Sequence, residues 1–318
     1  MKKILRVGTR ESQLAVWQAE QVKTLLYQAG HEAELVFIKS EGDIDLKTPL
    51  YEMGVQGIFT RSLDIALLNN RIDLAVHSMK DVPTQLPEGI RQAAVLKRGS
   101  YKDLFVVNGQ RSMVNKDNIQ LGSSFPIPHS PFTIATSSIR RKAQWLNRYP
   151  DHKIENLRGN VNTRLKKLND SMWDGAIFAA AGLERINLRP ANSIELDWML
   201  PAPAQGAIVV VCRENDEDSF NACMNFNDTA TALCAKIERD FLRTLLGGCS
   251  TPISALAEVK NDEICFKGNI LSVDGKQKAD VEKKIAIDKA GNLGKEAAED
   301  LLNKGGRKIA EEIRNATK

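Results

Sequence analysis

The sequence predicts an α/β fold, and three observations lead there. Short apolar runs alternate with helical patterns over the first two-thirds of the chain, which implies sheets covered by helices on both faces. The composition, 42% hydrophobic and 26% charged over 318 residues, is that of a globular chain with material for two or three cores. After about residue 228 the texture changes to one long helical stripe followed by alternating strands, which marks a separate small α+β unit.

Taken in order, "ILRV" and "AELVFI" read as strands. The helix between them carries Leu14, Trp17, Val22, Leu25 and Leu26 near helical spacing and stops at Gly30. The runs "DLAVHS", "QAAVL", "DLFVV", "FTIAT", "KIENL", "GAIFAAA" and "AIVVVC" read as further strands. The polar, turn-rich stretch 108–131 is a candidate crossover between domains, and the proline pair in "LPAPAQG", 200–206, is a second boundary. Beyond 228, Leu233, Ile237, Phe241 and Leu245 form one i, i+4 stripe of a long helix. A hairpin or meander then turns at Asp274-Gly275, and the tail is helical with a Gly-Gly break.

The excess of 44 Lys and Arg over 40 Asp and Glu gives a net charge of +4, which favours anionic partners without naming nucleic acid. Aromatic residues make up only 6% and do not interleave with the basic motifs, which argues against single-stranded nucleic acid. Cysteines fall at 212, 223, 234, 249 and 265 with no two-residue spacing, a pattern of free thiols in a reducing compartment. The charged start "MKKILRVGTRESQ" lacks the apolar core of an export signal, and no run is long enough to span a membrane, so the expected location is the cytoplasm. Dinucleotide and phosphate-loop glycine patterns, a zinc-protease histidine pair and a serine-hydrolase elbow are all missing. The four histidines have no ligand spacing, so no metal is expected.

Chemistry gathers in a few stretches. In "RTLLGGCSTPIS", Gly247 and Gly248 follow the long helix, which places Cys249 just past a helix C-terminus. The partial negative charge there opposes thiolate formation, so Cys249 is a poor activated nucleophile. It is either an ordinary buried thiol or an accessible one that holds something covalently. In "IATSSIRRKAQW" a strand runs through Thr136, Ser137 and Ser138 into a helix whose first turn carries Arg140 and Arg141. Cations are disfavoured there by about 0.3–1 kcal/mol each, so a pair of them suggests a bound anion, against the plainer reading of a solvated basic turn. Arg158 and Arg164 in "LRGNVNTRLKKL", Arg10 with the candidate N-cap Ser12 in "GTRESQLAVWQAE", and Arg185 after "AIFAAAGLE" repeat the pattern at strand-to-helix turns. Together they outline an arginine-lined cleft at strand C-terminal ends. The stretch "VHSMKDVP" continues a buried strand through His77, Ser78, Lys80 and Asp81 to an extended exit before Pro83. If extended, it points Lys80 and Asp81 to opposite sides. Asp81 is then either a structural carboxylate or one that stabilises a cationic intermediate and relays protons.

The motifs "TRESQLAVWQA", "VHSMKDVP", "TSSIRR", "LRGNVNTRL", "AAAGLERI" and "GGCSTPI", in this order, closely resemble the hydroxymethylbilane synthase family, also called the porphobilinogen deaminases. The resemblance covers essentially the whole chain. It implies a transferase of haem biosynthesis that joins four porphobilinogen molecules head to tail, releases one ammonia per condensation, and frees hydroxymethylbilane by hydrolysis. It implies a dipyrromethane cofactor on a thioether to Cys249, an attachment that needs no low-pKa thiolate because loss of ammonia makes the pyrrole strongly electrophilic. Asp81 matches the catalytic aspartate. Arg10, Arg140, Arg141, Arg158, Arg164 and Arg185 match the arginines that bind acetate and propionate groups, with Ser12, Ser78, Lys80, Thr136 and Ser138 as hydrogen-bonding helpers.

The fold implied is two type II periplasmic-binding-protein-like α/β domains plus a small C-terminal α+β domain. The expected domains are 1–106 with 207–227, then 107–206, then 228–318, working as a monomer without nucleic acid or membrane. The chain departs from the family at "GVQGIFTRSLD", 54–64, where Gln56 and Ser62 replace the usual lysine and glutamate while Arg61 keeps a positive charge, and at Glu41. A non-enzymatic binding protein for an anionic metabolite is the alternative, and it leaves Cys249 and the third domain unexplained.

Overall fold

The computed structural model describes residues 3–39, 60–109, 132–245 and 251–316. The first sheet is built from β1 (Leu5–Thr9), β2 (Ala33–Phe37), β3 (Leu74–Ser78), β4 (Ile90–Val95) and β10 (Ile208–Arg213), in the order β2-β1-β3-β10-β4. β1, β2 and β3 run parallel, and β10 enters antiparallel between β3 and β4. The second sheet repeats this plan with β5 (Asp103–Val107), β6 (Thr133–Ala135), β7 (Lys153–Glu155), β8 (Gly175–Ala179) and β9 (Ser193–Glu195), in the order β7-β6-β8-β5-β9. In each sheet the one antiparallel inner strand arrives directly from the other sheet, the doubly crossed arrangement of periplasmic-binding-protein-like folds.

The strands follow from their sequences. β3, β5, β8 and β10 are buried along almost their whole length because helices cover both faces, which is why they read as unbroken apolar runs. On one face of the first sheet, α1 (Gln13–Gln28) packs Ala19, Val22 and Leu26 against Leu5, Val7 and Leu74. On the other, α2 (Arg61–Leu68) packs Leu63, Ala66 and Leu67 beside Ala75 and Val209. The second sheet is covered by α3 (Ile139–Arg148), whose Trp145 lies 5.4 Å from Phe105, and by α4 (Val161–Asn169), whose Leu168 joins Leu104 and Ala176.

Several expectations are corrected. The apolar run "GAIFAAA" divides, with β8 ending at Ala179 and α5 (Ala180–Glu184) beginning at the next residue. The polar stretch 108–131 joins β5 to β6 within the second sheet, so it is no crossover; residues 110–131 lie outside those described. β5 pairs with β8 and β9, so the first crossing lies at 96–102, ahead of Asp103 and ahead of the expected boundary at 106–107. The second crossing runs from β9 to β10 through the proline pair.

After α6 (Glu217–Met224), α7 (Thr229–Leu245) opens the third unit and buries Ile237, Phe241 and Leu245, with Leu233 half-buried beside them, on the stripe the sequence displays. It lies against the antiparallel sheet β11 (Ile253–Lys260), β12 (Glu263–Leu271) and β13 (Lys278–Ala286), with α8 (Leu293–Leu301) and α9 (Arg307–Ala316) separated by a kink at Lys304 and Gly305. The β12–β13 turn contains Gly275, whose φ of 76° and distance of 2.5 Å from a would-be Cβ to the Ala143 carbonyl oxygen admit no side chain. Asn147 Nδ2 donates to the Gly275 carbonyl at 2.7 Å, which seats the third unit on the second.

The units meet at Glu238 of α7, a fully buried carboxylate. Arg98 of the first crossing donates to it twice, at 2.6 and 3.1 Å. The backbone N–H groups of Ala204 in the second crossing and Ala257 in β11 donate at 2.6 and 2.7 Å. A buried carboxylate requires this full set of donors, and here the set comes from both crossings and the third unit. Gly206, with φ 87°, lets the two crossings touch, since a Cβ there would lie 2.7 Å from the Ser100 carbonyl oxygen.

Candidate active site

The ladder of β3 ends at Ser78 opposite Ile208, and the Met79 N–H donates to the Ala207 carbonyl at 3.0 Å. With no strand partner beyond it among the described residues, the chain closes a single 3₁₀ turn over Met79–Asp81, in which the Val82 N–H donates to the Met79 carbonyl at 3.2 Å. Val82 returns to extended geometry, φ −86° and ψ 133°, as a residue before proline must. The expected extended run through Lys80 and Asp81 is therefore replaced by a turn. Their side chains diverge by a third of a turn instead of pointing to opposite sides.

Lys80 is half-buried, and its ammonium donates to Gln205 Oε1 at 3.4 Å. Burial pulls its pKa down to about 8, partly offset by the nearby Asp81 carboxylate. Gln205 in turn donates to Asp103 Oδ1 at 2.9 Å and to the Tyr101 carbonyl at 2.7 Å. Asp103, fully buried at the start of β5, lies between the two arginines of α3. Arg140 Nη2 donates to one carboxylate oxygen at 2.7 Å, and Arg141 donates to the other through Nη2 at 2.7 Å and Nε at 3.1 Å. Burial raises the Asp103 pKa, but the two guanidiniums outweigh it and hold the carboxyl at about 2. The anion that the arginine pair suggests is thus present inside the protein, donated by a strand distant in sequence.

Both arginines are oriented further by the scaffold. Arg140 Nη1 donates to the Leu200 carbonyl at 2.7 Å and Arg141 Nη1 to the Ile177 carbonyl at 3.0 Å. Ser138 is the N-cap of α3 and accepts from the Arg141 N–H, while Thr136 Oγ1 accepts from the Ser138 N–H at 3.2 Å. Arg158 is buried after β7, and Arg164 stands on the first turn of α4, whose N-cap Asn160 accepts from the Thr163 N–H at 2.9 Å. Burial, and then the like charges of Arg141 and Arg158, pull the Arg164 pKa down to about 10, while Asp81 raises it. That coupling puts Arg164, carried by the second sheet, within electrostatic reach of Asp81, carried by the first. The Nε atoms of Arg140 and Arg164 are buried without a hydrogen-bond partner among the described residues.

The remaining candidates lie around this cluster. Arg10 directly follows β1, two residues beyond the Gly8–Ala75 pairing and level with His77 on β3. His77 is buried, and burial followed by the Arg10 charge lowers its pKa to about 3, so the imidazole is neutral. Ser12 caps α1 by accepting from the Ala15 N–H at 3.4 Å, and Ser78 Oγ accepts from Gln18 Nε2 at 2.8 Å. Arg185 turns to the second crossing, donating to the Gly206 carbonyl at 2.6 Å, with its guanidinium 5.6 Å from the Trp17 ring centroid. Cys249, Gln56 and Glu41 lie outside the described residues, whereas Arg61 and Ser62 begin α2. Asp103 and Gln205 carry almost no signal of a site in the sequence. The only trace of the first is a charged residue at the entry to the apolar run "DLFVV", and of the second a glutamine ahead of Gly206. No group of side chains suited to hold a metal ion occurs among the described residues.

Two α/β lobes joined by two crossings bring buried arginines, a half-buried lysine and a turn-borne aspartate to strand ends, which defines a two-lobed α/β protein with a cation-rich cluster. The model of the porphobilinogen deaminase dipyrromethane cofactor binding domain matches residues 5–221, and that of the porphobilinogen deaminase C-terminal domain matches residues 232–303. Porphobilinogen deaminase of Desulforamulus reducens is 40% identical over 99% of both chains, and that of Pelobacter propionicus is 38% identical over 97% of both. Among solved structures, the probable amino-acid ABC transporter extracellular-binding protein of Bacillus subtilis is 13% identical with a TM-score of 0.39, covering 71% of this chain and 91% of its own. The chain belongs to the porphobilinogen deaminase family, whose members are transferases that carry a dipyrromethane cofactor. No described helix is long and apolar enough to cross a membrane.

Proposed function

We propose that this chain is a hydroxymethylbilane synthase, working as a monomer in the cytoplasm, that condenses four porphobilinogen molecules with release of ammonia and then hydrolyses the product from a dipyrromethane primer on Cys249. The observation that carries the proposal is the placement of Asp81 on a 3₁₀ turn beside Lys80, whose ammonium is joined through Gln205 to the Asp103–Arg140–Arg141 cluster of the other lobe. The residues present fit the cofactor: Lys80, Arg140, Arg141, Arg158 and Arg164 outnumber the acids Asp81 and Asp103, and the buried Nε atoms of Arg140 and Arg164 have no partner among the described residues. When bound, the dipyrromethane supplies the pyrrole carbon from which the chain grows.

The residues divide the work by position. Arg140, Arg141, Arg158, Arg164 and Arg185 hold cofactor carboxylates, and Arg10, Arg140, Arg158 and Arg164 hold those of incoming porphobilinogen. Ser12, Ser78, Thr136 and Ser138 each use the hydroxyl oxygen as an acceptor inside the protein, which leaves the O–H of each to donate to a ligand. Lys80 sits beside Asp81 and sets the local potential. The Asp81 carboxylate stabilises positive charge developing on the substrate's pyrrole nitrogen as ammonia departs, and takes up the proton released when the new bond forms.

Incubating the purified chain with porphobilinogen tests the activity. The expected result is one ammonia for each porphobilinogen consumed and one bilane for every four. Reversible binding of porphobilinogen without ammonia release would favour an anion-binding protein instead.

A further inference from the structure

Neighbouring residues of α7 reach two different places, because successive side chains on a helix are rotated by about 100°. Glu238 takes the donors of the two crossings. Arg239 reaches the turn that carries Asp81: its Nη1 donates to the Met79 carbonyl at 3.2 Å and the Val82 carbonyl at 2.9 Å, and its Nη2 donates to the Pro83 carbonyl. These three carbonyls bracket Lys80 and Asp81 on both sides. Within the turn the Val82 N–H bonds the Met79 carbonyl, and Pro83 has no N–H to offer, so the segment depends on donors from elsewhere. One planar guanidinium supplies them in a fixed fork, which the point charge of a lysine does not reproduce.

We infer that Arg239 is a positioning residue for the reaction: from the third unit it fixes the backbone of 79–83 and thereby the direction in which Asp81 is presented. The inference rests on the functional reading above. It also gives α7 a second role, since the helix that leads in sequence to Cys249 is the one that holds the catalytic turn in place.

The test compares Arg239→Lys and Arg239→Gln with a control on the same helix, Thr231→Val, which removes the acceptor of the Arg98 N–H (3.1 Å) without touching the turn. All are made as full chains, with the covalent adduct confirmed by intact mass. Misplacing a catalytic group by a fraction of its reach costs one to two orders of magnitude, so both Arg239 variants should keep the adduct and lose about 10- to 100-fold in kcat. KM for porphobilinogen should stay within about threefold, because carboxylate binding is untouched. Hydrogen exchange of the amides in 79–84 should accelerate in both Arg239 variants, while Thr231→Val keeps the wild-type kcat even where it melts earlier. Should Arg239→Gln not accumulate as folded protein, Arg239→Lys decides. Arg239 variants with wild-type kcat, or a Thr231→Val that loses kcat as they do, would overturn the inference alone. A wild type with neither adduct nor turnover would overturn the functional reading and this inference with it.

Discussion

Asp81→Asn is expected to reduce turnover of porphobilinogen by about 10²- to 10⁴-fold, the range a positioned acid–base group contributes, while the protein stays folded and loaded. Asparagine has the shape of aspartate, and the main chain at 79–83 is held by the Met79 N–H bond to the Ala207 carbonyl and by Arg239, so the geometry survives the change. What disappears is the negative charge and the ability to accept a proton. Lys80, whose lowered pKa is already partly supported by Asp81, should titrate lower still in the variant, which gives a spectroscopic check independent of rate. Steady-state assay of loaded Asp81→Asn decides the matter, and turnover near that of the wild type would remove Asp81 from the chemistry.

The second large effect is on stability. Asp103→Asn should cost about 3–5 kcal/mol, because it leaves the buried guanidiniums of Arg140 and Arg141 without their counter-charge. The sign agrees with the titration. A carboxyl held at about 2 in the folded protein contributes stability that is present above its unfolded pKa near 4 and is lost as pH falls through the folded value. Denaturant unfolding at pH 7 should therefore show a lower midpoint for Asp103→Asn, with the deficit shrinking toward pH 2. An unchanged midpoint at pH 7 would mean that the arginine pair does not depend on this carboxylate.

The pair also shows what a sequence conceals. Two arginines on the first turn of a helix signal an anion, and that much was legible in "TSSIRR" from the helix dipole alone. The signal does not say whose anion. The carboxylate of Asp103 comes from a strand of the opposite direction, and nothing in local spacing links it to α3. The strands themselves were legible wherever helices bury both faces, as in "DLAVHS" and "AIVVVC". β9 was not, since its three half-buried residues "SIE" contain one apolar side chain and depend on pairing with β5. The turn at Lys80 and Asp81 escaped for a related reason. Whether a strand continues or turns is decided by where its neighbour ends, here at Ala207. The long stripe on α7 was plain, yet the use made of Glu238 and Arg239 depends on the crossings and the Met79–Asp81 turn that fold against it.

If the chain builds its product on a primer anchored to its own Cys249, as proposed, the primer stays with the protein on denaturation. The measurement that tests it most directly is the intact mass of the denatured wild type beside that of Cys249→Ser. The predicted result is an added mass of two linked pyrrole units on the wild type and none on the variant. A wild type that stays unmodified even after incubation with porphobilinogen would contradict the claim.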